Sequence, residues 1–192
     1  VLLLALIHEL IRLGLYDREF LARYTNAGQL VNQDTHSDDL GMMLRNVQGD
    51  VVNPLRPANF YWWDRLTEQP VSDHAEGADP ALLGHFTMPD GTPAVPAFQL
   101  LEERVKPYTP EWAEAITGIP ADTIRRLAHE VGITARDQKI ELPIAWTDSW
   151  GKRHASVTGN PVAFHAMRGL AAHSNGFQTI RSLSILMSLL GT

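Results

Sequence analysis

The feature that most limits the fold is a long middle stretch without sustained periodicity. From residue 26 to about residue 91, apolar residues follow neither the 3.6-residue period of a helix nor the alternation of a strand. The run Phe60-Tyr61-Trp62-Trp63 is too apolar for a disordered segment. The sequence therefore predicts a long, mostly irregular excursion, interrupted by five prolines: Pro54, Pro57, Pro70, Pro80 and Pro89.

Helical patterns flank this stretch on both sides. Apolar residues recur at helical spacing before Gly14, and Asp17 is a suitable N-cap for a second short helix. Further on, Thr109 followed by Pro110 is typical of a helix start, and Gly118 of a helix end. Another helix is predicted to begin at Pro120, with one inward face formed by Ile124, Leu127, Ala128 and Val131.

The last third of the chain has the clearest pattern. Residues 162–167 predict a short buried strand, residues 168–176 a loop with glycines, and residues 177–190 a closely packed helix that ends at Gly191. A strand, a glycine loop and a helix present backbone N–H groups to anionic ligands, although many such turns only connect elements. The predicted fold class is α/β, with a strand–loop–helix unit over residues 160–192 as the candidate ligand site.

Composition excludes several kinds of function. The chain carries 16 basic against 22 acidic residues, a net charge of −6, and has no dense basic patch, which argues against a nucleic-acid surface. It has no cysteine, so this stretch itself holds no disulfide, catalytic thiolate or iron–sulfur cluster. The apolar run at residues 1–7 is short and is followed at once by charges, so neither a signal peptide nor direct membrane insertion is predicted.

Two groups of polar residues resemble metal sites without meeting their requirements. His8-Glu9 approaches the zinc-protease helix motif, but Arg12 stands where zinc needs a second histidine, so a surface-facing His–Glu pair is predicted. A second group lacks the glycine and the distal glutamate of a calcium loop. No metal site is predicted there, only a solvated loop containing Asp34, His36, Asp38 and Asp39.

The tryptophans are candidates for contacts with a flat cofactor, for core positions, or for an interface between subunits. The interface interpretation is favoured for the adjacent pair Trp62 and Trp63. Trp146 and Trp150, on either side of Asp148, leave the alternatives open.

Three stretches of the chain carry a resemblance to a known family: Leu13 to Thr25, Tyr108 to Ala128 and Phe164 to Gly191. In sequence and in their order along the chain they resemble the DMSO reductase superfamily, which includes formate dehydrogenases, nitrate reductases and the polysulfide, thiosulfate and tetrathionate reductases. Residues 26–95 have no counterpart, which indicates a subfamily insertion. The segment His165 to Gly176 is most similar to the sulfite- and sulfur-compound-oxidising branch, near the polysulfide and thiosulfate reductases.

The resemblance implies that residues 1–192 are a fragment of a molybdopterin oxidoreductase catalytic domain, inactive alone and part of a Rossmann-like region that binds a pterin dinucleotide. The implied cofactor is molybdenum, occasionally tungsten, bis(molybdopterin guanine dinucleotide), with a 4Fe-4S cluster in an N-terminal part outside this sequence. Catalytic residues stay undetermined, with Arg168 and His173 as candidates for the substrate funnel; Arg168 would orient an anionic substrate such as sulfite. The implied cofactor contacts are Met167, Arg168, Gly169, His173, Asn175 and Gly176.

The implied partners are an iron–sulfur electron-transfer subunit, together with a membrane anchor subunit. The expected location is one face of a prokaryotic inner membrane, with the cytoplasmic face favoured over the periplasmic one. Two other functions stay open at this stage. One is a cofactor-free interaction module that docks a partner subunit through the Trp-rich insertion. The other is a small hydrolase-like enzyme with His165 or His173 as base, although the sequence has no G-x-S-x-G turn.

Overall fold

A computed structural model describes residues 1–46, 59–147 and 151–192. These residues form a mixed α/β structure with two compact units, one made of Val1–Asp17 and Val105–Thr192 and the other of Arg18–Arg104. The described residues contain six α-helices: α1 Leu2–Arg12, α2 Arg18–Tyr24, α3 Ala97–Val105, α4 Pro110–Thr117, α5 Ala121–Asp137 and α6 Gly176–Leu190.

The strands are short and pair only in antiparallel fashion among the described residues. The second unit has two three-stranded sheets, in the orders β1-β6-β5 and β2-β3-β4, and the first unit has two two-stranded sheets, β7 with β10 and β8 with β9. The strands are β1 Leu30–Asn32, β2 Arg45–Asn46, β3 Asn59–Asp64, β4 Gln69–Ser72, β5 Phe86–Thr87, β6 Pro93–Pro96, β7 Ile140–Leu142, β8 Trp146–Thr147, β9 Arg153–His154 and β10 Val157–Gly159.

In the first unit, residues next to the helix ends determine where α1 and α4 begin or end, and the predictions for these ends are confirmed. The Thr109 hydroxyl accepts a hydrogen bond from the backbone N–H of Trp112 at 3.2 Å, and Pro110 occupies the first turn of α4. Gly118 ends α4 with φ 72°, a left-handed conformation that glycine adopts without a steric penalty. Helix α1 ends close to Gly14, as its spacing predicted.

The buried face of α5 differs in part from the predicted one. Ile124 and Ala128 are buried as expected, but Leu127 is exposed. Gly132 and Ala135 complete the buried face instead. Small residues on this face let α5 pack closely against α1, so the apolar pattern alone pointed to a residue that is too large for the contact.

Gly132 should tolerate no side chain, because a Cβ there would lie 2.7 Å from Leu15 Cβ and 2.8 Å from Leu10 Cδ2. We expect Gly132→Ala to lower stability, since overpacking costs about 1–3 kcal/mol and outweighs the ~1 kcal/mol gained from better helix propensity. The thermal unfolding midpoint of the full-length subunit measures this. A midpoint equal to or above that of the unchanged protein would contradict the close α1–α5 contact.

The middle stretch contains short strands that the sequence did not predict. Six strands, β1 to β6, lie between residues 30 and 96, but most of the described residues of the stretch lie outside them, so the expectation of a mostly irregular excursion is confirmed there. Five of the six strands have only two to four residues, too few for a clear alternation, and prolines stand at both ends of β6. Pro54 and Pro57 lie outside the described residues.

The core of the second unit lies between its sheets. Leu30, Met88 and Ala94 are buried together, and the rings of Trp63 and Phe86 pack on them, stacked with centroids 4.4 Å apart. Trp63 therefore makes its main contacts inside its own unit. The interface interpretation of Trp62 and Trp63 stays a prediction.

A buried carboxylate organises the turn between β3 and β4. Asp64 accepts hydrogen bonds from the backbone N–H of Asp79 at 2.9 Å, the backbone N–H of Leu66 at 3.2 Å and the Thr67 hydroxyl at 2.8 Å. These donors, the Asp79 N–H above all, lower the pKa of Asp64 below its ordinary value because they favour the charged form.

This lowered pKa makes a pH prediction with a definite sign. Because the folded-state pKa of Asp64 lies below the unfolded value of about 3.9, its stabilising effect is complete above that pH and is lost as pH falls through the folded pKa. We expect Asp64→Asn to lower the free energy of unfolding at neutral pH. We also expect the stability of this variant to fall less than that of the parent protein as the pH is lowered into the acid range. Thermal unfolding across the acid range tests this, with the exposed Asp38→Asn as control; parallel pH curves for all three proteins would contradict it.

Residues 162–167 do not form the predicted strand. They have no regular structure, and most of them are exposed. A strand needs a partner ladder, and no described strand pairs with this segment. The unit at residues 160–192 is therefore a loop, a single 3₁₀ turn at Arg168–Leu170 and helix α6.

No helix among the described residues combines the length and the apolar character that crossing a membrane requires.

Candidate functional site

The candidate site is the loop that joins β10 to α6. At its beginning, the Asn160 side-chain amide donates hydrogen bonds to the carbonyl oxygens of Leu190 at 2.5 Å and Gly191 at 3.0 Å. This fixes the start of the loop at the C-terminal end of α6. Since α6 has 15 residues, about 22 Å at 1.5 Å per residue, the loop runs back along its length before the helix begins.

The far end of the loop is held by a tight backbone turn. The Arg168 carbonyl accepts hydrogen bonds from the N–H groups of Ala171 at 3.1 Å and Ala172 at 3.0 Å. The Ala171 carbonyl then lies against Gly176, where any Cβ would overlap it. Gly176 is buried and opens α6, so this position requires glycine because two backbone segments touch there.

Five of the six predicted contact residues are displayed on the surface of this loop, and the sixth is buried. Met167 is 72% exposed. Gly169 has open space around its α-carbon, since an added Cβ would meet nothing within 4 Å. The exposed residues are Met167, Arg168, Gly169, His173 and Asn175, and the buried one is Gly176.

His173 is oriented by the backbone. Its Nδ1 accepts a hydrogen bond from the N–H of Asn175 at 3.2 Å. In the neutral imidazole the proton must then be on Nε2, which remains a donor for a ligand. Asn175 stands at the N-cap position of α6, but its side chain makes no capping hydrogen bond, so the helix begins without a side-chain cap.

The chain segment that contains this loop carries charged side chains of one sign. Residues 151–192 contain no aspartate or glutamate, although the whole chain has a net charge of −6. Arg168 and Arg181 form no ion pair with any residue that the structure describes. Unpaired guanidinium groups and an uncapped helix N-terminus together attract anions. The basic residues of this segment are Lys152, Arg153, Arg168 and Arg181.

Sequence reasoning missed two residues beside the loop. Phe177 was assigned to a closely packed helix, but its side chain is 76% exposed, because it lies about 180° around the helix from the buried Leu186. Arg181 follows Phe177 by four residues and therefore shares its exposed face. The signal that could have found them is the spacing of the buried leucines, which fixes the inward face of α6 without Phe177.

The His8–Glu9 pair is part of the core of the first unit, so its predicted surface position is wrong. Glu9 is 2% exposed and binds the Arg12 guanidinium through two contacts of 3.0 and 2.7 Å. His8 Nδ1 lies 3.0 Å from the carbonyl oxygen of Val105. The helix tolerates this charge because the carboxylate is paired.

The other residues considered as sites have no catalytic neighbours in the part of the chain that the structure describes. The Asp34 carboxylate accepts a hydrogen bond from the backbone N–H of His36, and no group of three or more potential metal ligands is found among the described residues. Trp146 stacks on His154 with centroids 4.5 Å apart, while Asp148 and Trp150 lie outside the described residues.

Comparison with known proteins shows which enzymes the chain is similar to. No protein-family model matches the chain. It is 62% identical over 191 residues to the A subunit of sulfite dehydrogenase from Allochromatium vinosum, covering 100% of this chain and 20% of that protein. It is 32% identical over 164 residues to the perchlorate reductase alpha subunit of Dechloromonas aromatica (67% and 17%). It is 30% identical over 103 residues to ArrA, the molybdopterin-containing subunit of the arsenate respiratory reductase of a Shewanella species (52% and 12%).

These similarities define the class. The chain belongs to the DMSO reductase superfamily of molybdopterin oxidoreductases. Within that family it is similar along its whole length to the A subunit of sulfite dehydrogenase, and it spans about a fifth of that relative. These relatives are named as subunits, which implies that each of them belongs to a multi-subunit complex.

Proposed function

We propose that this chain is part of the catalytic subunit of a molybdenum-dependent oxidoreductase that exchanges an oxygen atom or electrons with a small inorganic anion, most simply a sulfur oxyanion such as sulfite. The observation that carries the proposal is the carboxylate-free loop 167–175, with Arg168 exposed, in a chain 62% identical to the A subunit of sulfite dehydrogenase. The 192 residues alone are inactive in this proposal, since the site requires groups from the rest of the subunit.

The loop has the properties that a bis(molybdopterin guanine dinucleotide) cofactor requires of its surroundings. Open space at Gly169 lets a ligand approach the backbone, and His173 and Asn175 offer side-chain hydrogen bonds to heteroatoms. The uncapped start of α6 suits an anionic group. This fit supports the proposed contacts at Met167, Arg168, Gly169, His173 and Asn175. In this proposal Gly176, which is buried against the Ala171 carbonyl, shapes the loop. The Rossmann-like region that binds a pterin dinucleotide is part of the same proposal, with its parallel strands placed elsewhere in the subunit.

The bound cofactor would supply a metal that changes oxidation state, while the protein supplies placement and electrostatics. Arg168 has no carboxylate partner in the described structure, so its guanidinium can donate charge-assisted hydrogen bonds to an anionic substrate. His173 can donate from Nε2 when neutral. Met167 and Phe177, which flank the loop in sequence, expose apolar surface that would exclude water if a bound ligand covered it.

The further parts of the enzyme belong to the same proposal. A 4Fe-4S cluster would be held by another part of the subunit, and electrons would pass to an iron–sulfur subunit bound to a membrane anchor subunit. The proposed location is the cytoplasmic face of a prokaryotic inner membrane. What supports the multi-subunit arrangement is that the relatives carry the word subunit in their names.

The cofactor-free interaction module is not favoured. It relied on Trp62 and Trp63 docking a partner, yet Trp63 stacks on Phe86 within its own unit. The hydrolase alternative also lacks support, because neither His165 nor His173 makes a hydrogen bond to a serine hydroxyl or a carboxylate among the described residues.

The test is metal and pterin analysis of the purified full-length subunit, combined with sulfite-dependent reduction of a dye. We expect molybdenum, guanine-nucleotide pterin and sulfite oxidation to be found together. A preparation that contained neither molybdenum nor tungsten would overturn the proposed function. A preparation that contained molybdenum but oxidised no sulfur oxyanion would overturn the proposed substrate.

A further inference from the structure

The C-terminal end of helix α6 is held by two other parts of the chain. The last carbonyl groups of a helix have no partner within the helix itself. In α6 the Leu189 carbonyl accepts a hydrogen bond from the backbone N–H of Asp17 at 2.7 Å. The Asn160 side-chain amide donates to the carbonyls of Leu190 at 2.5 Å and Gly191 at 3.0 Å. Two residues that are distant in sequence therefore fix the last turn of the helix.

The N-terminal end of α6, which carries the candidate loop, is held less firmly. Asn175 at the N-cap makes no side-chain hydrogen bond to the helix. Apart from Gly176, the buried residues of α6 lie from its middle onwards: Leu183, Leu186, Leu189 and Leu190. A helix without an internal proline or glycine does not kink sharply. The contacts of its C-terminal half therefore also set where its first turn lies.

Asn160 also holds the start of the loop that leads to α6. The Val162 N–H donates a hydrogen bond to the Asn160 carbonyl at 2.9 Å. Residues 163–166 form no helix or strand, and within the described parts of the chain they make no hydrogen bond to other residues. The next fixed point is the turn at Arg168. This stretch of the loop is thus tied at its two ends, and Asn160 is the first tie.

The Asn160 amide occupies a closely packed polar contact. A Cβ at Gly191 would lie 2.8 Å from Asn160 Nδ2 and 2.9 Å from Asp17 Oδ2, and the φ of 66° at Gly191 also favours glycine. The Asp17 carboxylate accepts a hydrogen bond from Lys139 Nζ at 3.2 Å. The position of the amide is therefore fixed by its neighbours as well as by its own hydrogen bonds.

We propose that Asn160 is a positioning residue for the anion-binding loop 167–175. It joins the start of the loop to one end of α6, while the other end of α6 carries the end of the loop, so it limits where Arg168 can lie. Without this tie the loop would sample more conformations, and a ligand would have to order it on binding. The proposal rests on the proposed function, since it requires Arg168 to bind an anionic substrate.

Steady-state kinetics of the full-length, cofactor-loaded subunit test this role. We expect Asn160→Ala to raise KM for sulfite about tenfold and to leave kcat per bound molybdenum within about twofold, because substrate binding is weakened and the metal is not altered. A merely structural defect would reduce the amount of folded enzyme without changing KM. An unchanged KM would therefore overturn the proposal.

Three further variants separate the hydrogen bonds from the shape of the side chain. Asn160→Asp keeps the size but removes the donor, so we expect a rise in KM at least as large. Gly191→Ala leaves the amide in place but crowds it, and should raise KM by a smaller factor. Lys139→Ala is the control, since its exposed ion pair with Asp17 contributes little and KM should not change. A parent-like KM in Asn160→Asp would contradict the proposal.

A double-mutant cycle tests whether Asn160 acts through Arg168. We expect Asn160→Ala to cause no further rise in KM once Arg168 has been replaced by alanine, because residues that act as one unit have non-additive effects. Additive effects would overturn the positioning role alone. A parent subunit that lacked molybdenum or did not oxidise sulfite would instead overturn the proposed function, and the positioning role with it.

Discussion

Gly176→Ala is expected to inactivate the enzyme while α6 remains folded. The added methyl group would overlap the Ala171 carbonyl, and a backbone atom cannot move aside as a flexible side chain can. Overpacking of this kind costs about 1–3 kcal/mol. The larger effect is on geometry, because a shift of about 1 Å in positioning groups can reduce turnover about 100-fold. The measurements are activity and cofactor content of the full-length subunit.

The matched control for this variant is Gly169→Ala in the same loop. A Cβ at Gly169 meets nothing within 4 Å, so the fold should accept it and the unfolding midpoint should not change. If Gly169 contacts the cofactor, this variant should lose cofactor without losing stability. Full activity in Gly176→Ala would contradict the close backbone contact, whereas full cofactor content and activity in Gly169→Ala would contradict the proposed ligand approach.

Arg168→Ala is expected to have the second largest effect, confined to anion recognition. A hydrogen bond to a charged group contributes about 1.5–3 kcal/mol, so kcat/KM for sulfite should fall about 10- to 100-fold. Arg168→Lys should recover part of the loss because the charge is restored without the planar fork. Steady-state kinetics of the full-length enzyme with sulfite, at constant ionic strength, provide the measurement.

The control for Arg168 is Arg126→Ala. Arg126 is exposed on α5 and pairs with Glu130 at 2.9 Å, so its removal changes net charge equally without touching the loop. We expect its kcat/KM to stay within about twofold of the parent value, since exposed ion pairs contribute little. If kcat/KM were the same for Arg168→Ala and the parent enzyme, the proposed role of Arg168 in orienting an anionic substrate would be contradicted.

Helix ends could be predicted because they depend on neighbouring residues. A threonine hydroxyl caps α4, and glycines with positive φ at 118 and 191 end α4 and α6. The strands of the second unit could not be predicted, because their pairing depends on residues far apart in sequence. For example, β1 pairs with β6 across about sixty residues, and neither strand has more than four.

The candidate loop likewise has features that the sequence could predict and features that depend on the folded chain. Resemblance to a family identified residues 167–176, and the structure displays most of them at the surface, but it also replaced the predicted strand at 162–167 by irregular backbone. The role of Gly176 depends on contact with Ala171, which only the folded chain reveals. Arg181 became a candidate once the buried face of α6 was known.

A cryo-EM map of the cofactor-loaded full-length subunit tests the central proposal most directly. We predict pterin density within hydrogen-bonding distance of the loop 167–175, with the Arg168 guanidinium facing the metal side of the cofactor. Density for the cofactor at another part of the subunit, with this loop facing solvent, would contradict it.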